Sequence, residues 1–220
     1  MPVSHHNSAT TARRLSKEAT AEAKGNKFLF EFSFDMAKTQ PLPKLNTSVV
    51  FYSRQLWIYN LGINTFHNNH GIMSMWTEAK RGSREICSCI FEFLSTVDLS
   101  GKRTIRTFSD CCGGQNRNKN VICFFMYMCE KPEIQEWEHI YQESGHSYLP
   151  NDRDFAAIEK KTRGTIVVNS KEDWFKLVEG AMKKQPLKTK YVGKCTTSKR
   201  WKINASITRR DLQSQAHLIS

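Results

Sequence analysis

The stretch TFSDCCGGQNRNKNVICFF, residues 107–125, decides how the rest of the chain is read. An apolar run, Ile105 to Phe108, leads into Asp110. Gly113 and Gly114 follow, then polar Gln115-Asn116-Arg117-Asn118. Beyond them Val121, Ile122, Phe124, Phe125 and Met128 recur at three- and four-residue spacing, the pattern of a helix with one buried face. Asp110 therefore stands where a strand stops and a helix is about to begin. The two glycines suit a sharp turn and the close approach of another backbone or a phosphate. A carboxylate at the carboxyl end of a strand is a common way to hold a metal ion or a catalytic group in α/β proteins. The competing reading makes it a helix cap without chemistry.

Outward from that point the chain alternates. Upstream, FLFEFSFD (residues 28–35) sets Phe28, Phe30, Phe32 and Phe34 against Leu29, Glu31, Ser33 and Asp35, a strand with one apolar face closed by Asp35. Gln40-Pro41-Leu42-Pro43 interrupts regular structure. Residues 49–63 are rich in aromatic and branched side chains and fit a strand, with or without a helical turn before it. HNNHG (67–71) is a turn, and IMSMWT (72–77) is the returning strand of a hairpin. Ser83 reads as the N-cap of an amphipathic helix through Ile86, Ile90, Phe93 and Leu94.

Downstream of Asp110's helix, WEHIYQ (137–142) is a fifth strand. A third helix carries Phe155 and Ile158, and residues 171–184 form a last amphipathic helix. The order is three strands, then helix, strand, helix, strand, helix, which predicts an α/β fold with a mixed sheet flanked by helices. That succession resembles the ribonuclease H-like fold. The expected organisation is a basic arm or helix over 1–26, the domain over 27–185 and a basic tail over 186–220.

Composition narrows the partners. The 220 residues carry a formal charge of +12. From Lys183 to Arg210 there are ten Lys or Arg and no Asp or Glu. Such an excess favours a polyanion, with DNA the first candidate, through the basic surface and the tail. No apolar run is long enough for a membrane span, and the first residues lack the apolar core of a secretory signal. The seven cysteines include no CxxC pair; they read as reduced thiols, so a nuclear or cytoplasmic rather than secreted protein is expected.

Three acidic positions fall at element ends: Asp35, Asp110 and a group at the third helix, Asp152, Asp154 and Glu159. On a helix, residues 152, 155 and 159 share one face and 154 turns away. Asp152 and Glu159 are thus alternatives, and Asp154 is expected in solvent or at the cap. Carboxylates converging from distant parts of a chain suit two Mg2+ or Mn2+ ions, which prefer oxygen ligands. His146, beside Gly145 and Ser147, is a candidate to orient a phosphate or move a proton. Asn116 and Arg117 are candidates to contact a phosphate.

FDMAKTQPLPK, FYSRQLWIYNLGI, SDCCGGQNRNKN and GHSYLPNDRDFAAIEK, in this order, resemble a transposon-derived ribonuclease H-like domain family common in insect and other animal genomes. The likeness runs from about Thr11 to Pro186. It implies a transposase or integrase catalytic core of the Asp-Asp-Asp/Glu type, performing metal-dependent phosphodiester cleavage or strand transfer on DNA. Asp35, Asp110 and Asp152 are then the metal-binding carboxylates, with Glu159 the alternative third ligand. Set against that resemblance, a longer N-terminal region, often rich in Cys and His, and a longer stretch after Lys184 would be expected. The alternative it implies is a catalytically inactive, host-adopted nucleic-acid-binding module with the same fold. Self-association is left open.

Overall fold

The structure is a computed structural model and describes residues 14, 18–22, 24–45, 56–142, 149–165 and 167–193. His146, and the tail beyond residue 193, lie outside the described residues.

Seven strands form one mixed sheet: β1 (Leu29–Met36), β2 (Gln40–Leu42), β3 (Leu56–Thr65), β4 (His70–Trp76), β5 (Thr104–Asp110), β6 (Glu136–Gln142) and β7 (Lys188–Tyr191). The order across the sheet is β6-β5-β1-β3-β4-β7, with β2 paired to the start of β3. Only β3 runs against the others, since it pairs antiparallel with β1, β2 and β4. The pairs β1–β5, β5–β6 and β4–β7 are parallel. The carboxyl ends of β1, β4, β5 and β6 consequently share one edge of the domain.

Helices cover both faces, as a largely parallel sheet requires. On one face lie α1 (Ser83–Leu94) and α2 (Lys119–Cys129). They meet Phe30, Phe32, Phe34, Leu61, Ile63, Trp76 and Ile105 through Ile86, Ile90, Phe93, Val121, Phe124, Phe125 and Met128. Phe32 and Phe34 are fully buried, each worth about 2–3 kcal/mol of transfer free energy. His139 of β6 is enclosed there too, stacked on Phe34 and bonded to Thr107 and Ser109. Burial pushes its pKa down to about 3, so it stays neutral and structural.

On the other face lie α3 (Pro150–Arg163) and α4 (Lys171–Glu179). Ile158, Trp174, Leu177 and Val178 pack on Ile58, Met73 and Met75. α3 comes unusually close because two strand residues on this face are glycine. A Cβ on Gly62 would stand 2.7 Å from the Phe155 ring, and one on Gly71 would stand 2.4 Å from Asp154 Oδ2. The same face carries Arg106, bonded to Glu22, buried Glu31 and Glu138. That network and buried Ala19, which joins Phe66, Phe108 and Leu149, dock residues 18–22 on the sheet.

Several boundaries differ from the sequence reading. Residues 40–42 do form a strand, short and at the side of the sheet, where a proline's missing N–H is tolerated. The N-cap of α1 is Gly82, whose N–H is met by Glu85 Oε2 at 3.2 Å, and Ser83 instead accepts from Asn120. α4 stops at Glu179 because Gly180 caps it. The basic stretch after Pro186 was expected to be a tail, but Lys188–Tyr191 enters the sheet beside β4, and Val192 is buried in the core. KTKY shows no apolar alternation, which is usual for a short edge strand.

Candidate functional site

Asp35 and Asp110 stand on adjacent parallel strands. β1 and β5 pair in a register that matches Ser33 with Phe108. Two residues further along both strands are Asp35 and Asp110, side by side at the shared carboxyl edge. Residues two apart on a strand face the same way. Ser33 is bonded to α3 and Phe108 packs on Leu149 just ahead of it, so both acids belong to the α3 face.

The first turn of α3 is fixed against them. Ser33 Oγ donates to Asn151 Oδ1 at 2.5 Å, and Asn151 is fully buried. Pro150 opens the helix, and Asp152 closes a capping box: its Oδ2 accepts from Leu149 N at 3.1 Å. Asp152 therefore sits next to the residue that anchors α3 to β1.

Each of the three carboxylates is held through one oxygen. Asp35 Oδ1 accepts from Met36 N at 2.7 Å. Asp110 Oδ1 accepts from the Asn116 amide and, at 3.4 Å, from Cys112 N. Among the described residues the second oxygen of each has no hydrogen-bond partner and none of the three forms an ion pair. Burial pushes Asp35 up to about 7, and the charges of Asp110 and Asp152 add to the rise, which Arg81 partly offsets. Asp152 is also raised, mainly by burial. Asp35 thus lies within electrostatic reach of both Asp110 and Asp152. They are not a closed cage: among the described residues no three His, Cys, Asp or Glu are already set to hold a metal ion.

Three buried polar atoms without partners among the described residues border the same place: Asn116 Oδ1, Gln142 Oε1 and Asn151 Nδ2. Gln142 is Asp110's register partner on β6.

The cap reading of Asp110 does not hold. α2 is capped by Asn118, which accepts from Asn120 N at 3.0 Å and Val121 N at 3.4 Å. Asn116, expected to face a phosphate, is buried and ties the 111–118 loop to Asp110. The only hint of that role in the sequence is its place in the turn directly after the strand. A side chain at Gly113 or Gly114 would meet nothing within 4 Å, so internal packing does not call for glycine there.

The expectation for Asp154 is overturned. It is fully buried, accepting from Asn64 Nδ2 at 2.8 Å and from Arg153 at 2.8 and 3.1 Å. The Gly71 hollow admits its carboxylate to the sheet. Asp154→Ala would strand the Asn64 amide, and we expect a loss of about 3 kcal/mol, read as a lowered urea midpoint with unchanged slope. Glu159 is exposed and paired with Arg163 at 2.9 Å, and its charge is not among those acting on Asp35.

No protein-family model, curated protein or solved structure matches the chain. What can be said of its class is that it is an α/β protein with a mixed, helix-flanked sheet bearing carboxylates at one strand edge. No described helix is long and apolar enough to cross a membrane.

Proposed function

We propose that this chain is a ribonuclease H-like catalytic core of the transposase and integrase type, cutting or joining DNA phosphodiesters with divalent metal ions. The observation that carries the reading is Asp35 and Asp110 side by side at one strand edge, with the charge of Asp152 acting on Asp35 from the first turn of α3. The strand order also supports it: leaving out β2 and β7, the succession 5-4-1-2-3 with only the second strand reversed is that of a ribonuclease H-like sheet.

The donor set fits Mg2+ or Mn2+. It offers hard carboxylate oxygens, one on each acid without a hydrogen-bond partner among the described residues, and no thiol or imidazole in the trio. Asp35, Asp110 and Asp152 would hold the metal. When bound, it would neutralise charge at a phosphodiester and activate the attacking water or 3′ hydroxyl. Asn116 keeps Asp110 oriented, and the Leu149 N–H keeps Asp152 at the mouth of α3. Burial and the neighbouring charges make Asp35 the acid most in need of a counter-ion.

The test is Mn2+ titration by calorimetry together with nicking of supercoiled plasmid. Saturable millimolar or tighter binding with metal-dependent nicking supports the enzyme. DNA binding without either would leave the inactive binding module. Within the active protein, Asp152→Ala should remove nicking, whereas Glu159→Ala should stay within about twofold of wild type. The reverse outcome would transfer the third position to Glu159.

A further inference from the structure

The strand edge that bears the carboxylates also bears cations, and these are distributed on both sides of the acids. Three described loops leave that edge: 37–39 after β1, 77–82 after β4 and 111–118 after β5. They carry Lys38, then Lys80 and Arg81, then Arg117, with Lys119 opening α2; Glu78 is their one acid. In the sheet order β5-β1-β3-β4 the sequence along the edge is Arg117, Asp110, Asp35 and Lys38, then, beyond β3, Lys80 and Arg81.

Both arginines are exposed and held in place without a carboxylate partner among the described residues. Arg81 Nη2 donates to Ala37 O at 3.4 Å, two residues past Asp35. Its loop is fixed in turn by Trp76 Nε1, which donates to Lys80 O at 3.1 Å, and by the Glu85 cap on Gly82. Arg117 lies over the Tyr141 ring at 5.9 Å, with Nη1 3.4 Å from Cys111 Sγ, next in sequence to Asp110. The charge of Arg81 acts on Asp35 and partly offsets the effect of burial, yet no ion pair joins either arginine to a carboxylate among the described residues. Each guanidinium gives one donor to a carbonyl or a thiol, and the donors left over suit a phosphate.

We propose that Arg81 and Arg117 bind backbone phosphates on either side of the reacting bond, so that a DNA strand crosses the carboxyl edge from the β4–α1 loop to the β5–α2 loop. The proposal rests on the reading of the acids as a phosphodiester site, and it adds the path and the contacts. The span suits a nucleic acid strand: β4 and β5 are three strand spacings apart, about 14 Å. Lys38 lies between the two arginines and Lys80 beside Arg81, giving a continuous basic border to the acids. Arg103, exposed over the Phe28 ring just ahead of β5, stands at the opposite edge of the sheet and lies off this path.

The experiment measures anisotropy of a short fluorescein-labelled DNA duplex with the full chain, in EDTA, at salt from about 50 to 200 mM. Each phosphate contact contributes about 0.9 to the slope of log affinity against log salt. Arg81→Ala and Arg117→Ala should each lower affinity about 5- to 10-fold at low salt and shallow the slope by about one. Arg103→Ala should leave the slope unchanged. Because both arginines are exposed, thermal midpoints within about 2 °C of wild type are expected, and a circular-dichroism melt checks this for each variant.

Unchanged slopes in both arginine variants, a loss in Arg103→Ala as large as theirs, or no DNA binding by wild type would each overturn the path. The outcome is separable from that of the metal site. If wild type binds no Mn2+ and nicks nothing, yet the two arginines carry the salt slope, the path stands and the catalytic reading falls. If nicking depends on metal but the slopes do not move, the path falls alone.

Discussion

Asp110→Asn is expected to abolish Mn2+ binding and to lower metal-dependent plasmid nicking at least about 1,000-fold, equivalent to about 4 kcal/mol of transition-state stabilisation. The reasoning is geometric before it is chemical. Asp110 is flanked by Asp35 on β1 and by Gln142 on β6. An amide at that position keeps its volume, and its oxygen can still accept from Asn116 and Cys112. The fold should therefore survive, with a thermal midpoint no lower than that of wild type. Only the charge and the second anionic oxygen are lost, and these are what a hard cation needs. Retained Mn2+ affinity in a folded Asp110→Asn protein would remove Asp110 from the site and, with it, the proposed activity.

How far the sequence foretold this arrangement differs from residue to residue. The pairing of Asp35 with Asp110 was legible because β1 alternates strictly, Phe30, Phe32 and Phe34 against Glu31, Ser33 and Asp35. Ile105 to Phe108 also reads as a buried parallel strand entered from a helix. Asp154 was misjudged for an equally physical reason. The helical spacing of 152, 155 and 159 says which residues share a face, but not how near the sheet lies. That distance is set by Gly62 and Gly71 on other strands, which hollow the sheet and admit Phe155 and the Asp154 carboxylate. A glycine inside each of two paired strands was the available signal. β7 left none, since an edge strand of four residues needs no apolar period. Arg81 belongs to no motif, and its relevance comes from β4 ending at the same edge as β1 and β5.

Asp35→Asn should stabilise the metal-free protein at alkaline pH, by about 2 kcal/mol at pH 8. Asp35 has its pKa raised to about 7 by burial first and by Asp110 and Asp152 next, against an ordinary value of 3.8. A raised carboxyl favours the folded state fully below its unfolded value, and that contribution is lost as pH climbs through the folded value. The window is therefore about pH 4 to 7, and above it the fold carries a half-buried charge that Met36 N and Arg81 only partly offset. A three-unit shift corresponds to about 4 kcal/mol; side-chain relaxation and solvent entry halve the expected gain. Asparagine keeps the bond to Met36 N through its own oxygen. Glu31, also raised to about 7, titrates over the same range in both proteins. The difference between wild type and variant, from urea unfolding at pH 4, 6 and 8, isolates Asp35: near zero at pH 4, about 2 kcal/mol at pH 8. Mn2+ should act in the opposite sense, adding about 1.4 kcal/mol to wild type at ten times its Kd and nothing to the variant. Parallel stability curves across that pH range would mean that Asp35 bears no repulsion from its neighbours, and the case for a cation between the three carboxylates would go with it.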